Sequence, residues 1–223
     1  MRAISAFVFT PVALFRRRVE APSNLALALI PPVLCAALHF ITVRMLSANT
    51  LDGVIASFAV TDARAPRWET MGLVFGLVSA LSYVVLYVLV AVTLICLDVL
   101  LADSRRGLKL AELTGLAFVP QVIACATLLC AVVFWLPPWS GPPVASMADA
   151  SSAVAAYRAS VLAQPAFVTA SVVEFGCVGW TMALAGVALH TAARLTRWQV
   201  LLAGGTALGI YTTVYLARLA SGI

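Results

Sequence analysis

The sequence predicts an all-α polytopic membrane protein, a five-span transmembrane helix bundle. Three observations carry that prediction. Of 223 residues, 63% are hydrophobic and 10% charged, where soluble domains average roughly 45–50% and about 25%. The apolar residues gather into long runs separated by prolines and short polar stretches. The basic residues cluster at the ends of those runs, where membrane anchors sit. A soluble fold of this length would expose apolar patches large enough to aggregate; a bilayer accommodates them.

The first stretch, MRAISAFVFTPVALFRRRVEAP, is too short to span, because a crossing helix needs about 20 apolar residues. A signal peptide carries its charge before the apolar part, whereas Arg16, Arg17 and Arg18 follow it, and Pro11 interrupts it. Residues 1–22 are therefore expected to form an interfacial amphipathic segment, with Phe7, Phe9 and Phe15 in lipid and the arginines on headgroups. Residues 23–223 form a single five-helix domain. Span one, 25–46, contains Pro31 and Pro32 and should kink. A polar connection, 47–69, follows. Span two, 71–101, exceeds the length needed and must tilt or protrude. Span three, 113–136, meets Pro120 early and is stopped by PPWSGPP. The alanine-rich MADASSAVAAYRASVLAQP reads as a short helix on the outer surface. Spans four, 166–190, and five, 199–219, flank a tight turn, TAARLTRW.

Thirteen arginines accompany a single lysine, Lys109, at a net charge of +5. That bias points to a GC-rich bacterial genome. Arg2, Arg16, Arg17, Arg18, Arg105, Arg106, Lys109, Arg194 and Arg197 fall on one side of the five spans, and Arg44, Arg64, Arg67, Arg158 and Arg218 on the other. By the positive-inside rule the N-terminus is cytoplasmic and the C-terminus external, in a bacterial cytoplasmic membrane. No basic face with polar or aromatic readers is present, so nucleic acid is not an expected partner. The lipid bilayer is; any protein partner is unspecified.

Ionisable groups within spans are costly and are buried, partnered or functional. Four qualify: His39, Asp98, Glu174 and His190. At 1.5 Å per residue, His39 and Glu174 lie at matching depths, about 20 Å from the cytoplasmic face. Asp98 and His190 share a depth near that face. Two acid–histidine pairs are thus allowed, either as structural pairs or as parts of an ion pathway. Gly176, Gly179, Ala183 and Gly186 share one face of span four, opposite Glu174, and suit close helix packing. Gly72/Gly76 and Gly205/Gly209 are GxxxG pairs of the same kind.

Cys35, Cys96, Cys125, Cys130 and Cys177 all lie in apolar runs without CxxC or zinc spacing, which makes them packing residues. GxSxG, HExxH, Walker-lysine and paired-carboxylate patterns are missing from the sequence. No catalytic, cofactor-binding or metal-binding residue is assigned, and no cofactor is expected.

Three segments together have a familiar order: FTPVALFRRRVEAP before the first span, GLKLAELTGLAFVPQV with Pro120 opening the third, and HTAARLTRWQVLLAG with Trp198 before the last. In this the chain resembles the Ypt-interacting-protein (Yip) domain family of five-span membrane proteins, over nearly its whole length. The resemblance implies a small five-helix bundle with a cytoplasmic N-terminus. Eukaryotic members are associated with Rab-type GTPases and vesicle traffic. The long soluble N-terminal region of those members is not in this sequence, which counts against a GTPase partner. The expected function is that of a non-enzymatic scaffold or membrane-organising factor. The rival is a small transporter or channel using His39 and Glu174; an intramembrane enzyme ranks third.

Overall fold

The computed structural model describes residues 11–57, 65–101, 106–140, 147–193, 195–196, 198–201, 204–206, 209 and 212–213. These are helical apart from short turns, with no strand among the described residues. Among the described residues seven helices are delimited in order: α1 (Pro11–Glu20), α2 (Leu25–Ser57), α3 (Ala65–Leu101), α4 (Gly107–Ala117), α5 (Val119–Trp135), α6 (Met147–Leu162) and α7 (Pro165–Ala193). Four stretches are long and apolar enough to cross a membrane: Leu25–Val54, Gly72–Leu100, Gly107–Trp135 and Pro165–Ala193. The fifth expected span, 199–219, lies largely outside the described residues, as do Phe7 and Phe9; the described residues within 199–219 are helical.

Helix bounds depart from expectation where polar residues keep a helix going. α2 runs through the expected connection to Ser57. Thr50 returns its hydroxyl to the Leu46 carbonyl at 2.7 Å, so a polar stretch continues the helix at no cost in unsatisfied groups. At α3, Pro66 sits in the first turn, where its missing N–H is harmless, and the helix begins at Ala65 rather than 71. α4 begins at Gly107, six residues ahead of the expected start of span three. The helix is interrupted at Phe118, two residues before Pro120: the Phe118 N–H bonds to the Gly115 carbonyl at 3.0 Å, and Gln121 N–H to Phe118 O at 2.9 Å. Those tight turns pass over the N–H that Pro120 lacks.

The chain divides into two compact units, one from Met1–Cys35, Ser82–Ile123 and Gly176–Ile223, the other from Ala36–Leu81 and Ala124–Phe175. The first has a core of Phe15, Leu86, Val90, Leu94, Leu110, Leu113, Phe118, Leu184 and Leu189 with their neighbours. Phe15, expected in lipid, is fully buried in this core, because α1 folds back onto α4 instead of lying apart. The core of the second joins Val132, Tyr157, Val161 and Phe167, beside a smaller cluster of Val54, Ala150 and Ala153. Ala150, Ala153, Tyr157 and Val161 recur at helical spacing, so α6 buries one stripe. The outward residues of the long helices are themselves apolar. Leu73, Leu77, Leu81, Val85 and Val92 are exposed along α3, while Ser79, Tyr83, Leu86, Val90 and Leu94 are buried. In water such an outer face would be a defect; in hydrocarbon it is the solvated face.

Candidate functional site

Two buried charges of the first unit, Lys109 and Glu112, meet at the start of α4. Glu112 has no exposed surface. Its Oε1 accepts from Arg18 Nε on α1. Its Oε2 accepts from Lys109 Nζ at 2.8 Å and from the Asn24 backbone N–H at 3.0 Å. Lys109 Nζ donates a second hydrogen bond to the Ala21 carbonyl at 2.8 Å. Asn24 in turn caps α2, its Oδ1 accepting from the N–H groups of Ala26 at 3.0 Å and Leu27 at 3.3 Å. One carboxylate thus gathers the end of α1, the α1–α2 turn and the N-terminus of α2 onto α4. A buried ion is tolerated when it is paired and its remaining lone pairs are filled, and both conditions hold here.

From the sequence, Lys109 counts only towards orientation and Glu112 falls just ahead of span three. With α4 beginning at Gly107, both Lys109 and Glu112 fall inside a candidate span. The i, i+3 spacing of the lone lysine and this glutamate was the available signal. Arg18, expected on headgroups, is engaged by Glu112, whereas Arg16 and Arg17 are exposed. An open groove of about 490 Å³ adjoins the ion network, lined by Val19, Ala21, Pro22, Ser23, Arg106, Leu108 and Lys109. Arg106 reaches the Ala192 carbonyl at 3.4 Å. A second, apolar groove of about 710 Å³ runs past Met182, Gly186, His190, Val200 and Gly204.

The four intramembrane candidates are placed as follows. His39 Nε2 lies 2.7 Å from Ser79 Oγ, so α2 and α3 share a polar contact that sequence reading had not identified. Glu174 is half-buried on α7. Asp98 is fully buried on α3. His190 turns Nδ1 to the Leu195 carbonyl at 2.8 Å, a bond made to the turn that follows α7. A further buried pair joins Gln121 Nε2 to Thr181 Oγ1 at 3.2 Å.

The glycines act unevenly. At Gly76 a Cβ would lie 3.2 Å from the Phe40 ring, and at Gly72 3.5 Å from Arg44 and Ser47. At Gly176, Gly179, Gly205 and Gly209 it would meet nothing within 4 Å among the described residues, and at Gly186 only Val200, at 3.4 Å. The tightest approaches fall on glycines outside the expected motifs: a Cβ at Gly115 would overlap the Ala28 carbonyl, and one at Gly53 the Trp139 ring.

The second unit has its own polar clasp. Tyr157 donates its hydroxyl to the Pro137 carbonyl at 2.7 Å, and Asn49 Nδ2 donates to the same carbonyl at 3.1 Å and to the Tyr157 oxygen. The Trp139 ring lies tilted against that of Tyr157, 4.9 Å between ring centroids. Burial pushes the Tyr157 hydroxyl above its ordinary pKa, partly offset by the Asn49 amide. Of the cysteines, Cys35, Cys125 and Cys177 are buried and Cys96 and Cys130 exposed. Comparison of the chain with family models, with curated proteins and with solved structures finds no match.

Proposed function

We propose that this chain is a Yip-like, five-span protein of a bacterial cytoplasmic membrane, N-terminus inside and C-terminus outside, acting without catalysis as a scaffold. Its part is to hold a short basic helix at the cytoplasmic surface. The observation that supports this reading is the Glu112 network. It spends a fully buried carboxylate, Lys109 and Arg18 on fastening α1 and the turn after it, and leaves Arg16 and Arg17 of the same helix exposed. Fastening of this kind costs desolvation and is repaid if the helix must be presented in one orientation.

The rival is a small transporter or channel. It draws on the polar contact between His39 and Ser79 and on half-buried Glu174. Purification in native lipid separates the two. A protein that co-purifies with the wild-type chain and is lost from the Arg16→Gln/Arg17→Gln variant is the expected result. Absence of any such protein, together with proton or ion flux in proteoliposomes abolished by Glu174→Gln, would replace the scaffold with the transporter.

A further inference from the structure

We propose that the groove at the α1–α2 turn binds the phosphate of an anionic phospholipid headgroup. Three cations, Arg18, Arg106 and Lys109, stand beside one buried carboxylate, Glu112, around this turn, two positive charges more than these four groups need for neutrality. Two of the cations line the groove itself. Arg106 is exposed and, among the described residues, gives only one N–H, to the neutral Ala192 carbonyl at 3.4 Å. A guanidinium has five N–H donors in a planar fork that matches phosphate oxygens, so four remain for a ligand. Lys109 spends two of its three ammonium protons on Glu112 and Ala21. The hydroxyl of Ser23, an exposed residue of the same lining, has no hydrogen bond among the described residues.

The choice of a lipid over another anion comes from position. Two of the candidate membrane helices begin beside this groove, at Leu25 and at Gly107. The start of a span is the level of the headgroups, and basic pockets at that level suit anionic lipid. Leu108, 63% exposed, and Val19 give the groove an apolar wall against which the glycerol and first methylenes of a lipid would lie. The inference rests on the membrane reading above. It does not depend on a protein partner, so failure to find one leaves it standing.

The test is native mass spectrometry of the full chain in neutral detergent, titrated with phosphatidylglycerol or with phosphatidylcholine. One phosphatidylglycerol should be retained about tenfold more tightly than phosphatidylcholine, and Arg106→Gln should remove about that factor, the size of one charge-assisted hydrogen bond. Ser23→Ala should weaken retention about threefold, as loss of a neutral hydrogen bond does. Arg17→Gln, an exposed charge on α1 outside the groove, should change it by less than about twofold. If Arg106→Gln fails to fold, as read by helicity and melting, Ser23→Ala decides. Equal retention of both lipids overturns the proposal. So does an Arg17→Gln loss as large as that of Arg106→Gln, which would make the attraction diffuse. Complete displacement of the lipid by millimolar glycerol phosphate would likewise overturn it, making the site one for soluble phosphate.

Discussion

A carboxylate with no exposed surface persists only if its lone pairs are filled, and Glu112 fills them from three separate segments: a guanidinium, an ammonium and a backbone amide. Arg18 retains 27% side-chain exposure and can turn to water if the acid is lost. Lys109, at 8%, cannot. Glu112→Leu is therefore expected to cost about 3–5 kcal/mol, the usual penalty for stranding a buried charge. Lys109→Met in the Glu112→Leu background should recover much of that loss, because both ions leave together. Thermal unfolding of the purified protein, followed by helicity, checks this. A double variant as unstable as the sum of the two single variants would remove the pair from the account.

The same economy operates between helices. Pro32 has no N–H for the Ala28 carbonyl one turn back, and that carbonyl is the one over which Gly115 lies. The proline thus opens a backbone position on α2, and a residue without a side chain on α4 is what fits there. Gly115→Ala would put a Cβ 2.0 Å from the Ala28 oxygen. One of the two backbones must move, so a loss of about 2–3 kcal/mol is expected, at the upper end for overpacking. Gly179→Ala is the control. Its Cβ would meet nothing within 4 Å among the described residues, and alanine is the better helix former by about 0.8–1.0 kcal/mol, so stability should hold or rise. Melting temperatures of the two variants in one detergent read the contrast. A Gly115→Ala protein as stable as wild type would mean that α2 and α4 do not approach at this point.

For the molecule as a whole, four helices of membrane-crossing length and composition are in place, and the fifth run decides where the C-terminus ends. With five spans and the arginine asymmetry read from the sequence, a reporter fused after Gly222 should behave as external. One placed before Lys109 should behave as cytoplasmic. A cytoplasmic C-terminal reporter beside a cytoplasmic reporter at Lys109 would leave four spans and withdraw the five-span reading.

What the sequence by itself determined is what depends on composition and spacing along one segment. Helix type, four stretches long and apolar enough to cross a membrane, the stop ahead of Pro137 and Pro138 and the short helix holding Tyr157 are of this kind. Hydropathy and proline chemistry act within a few residues and need no partner to be legible. Tertiary structure alone decided which charges are spent and which are offered. Arg16, Arg17 and Arg18 are adjacent and identical in type, yet only the third meets Glu112, 94 residues away. His39 could be matched by depth to Glu174, but depth along one span could not name Ser79 on α3, with which His39 shares a hydrogen bond. Gly115 belongs to no GxxxG pair, and its need to be glycine comes from a carbonyl that a proline on another helix left open. A hydrogen bond is made at about 3 Å, and no pattern along a single chain fixes which distant atoms arrive at that distance.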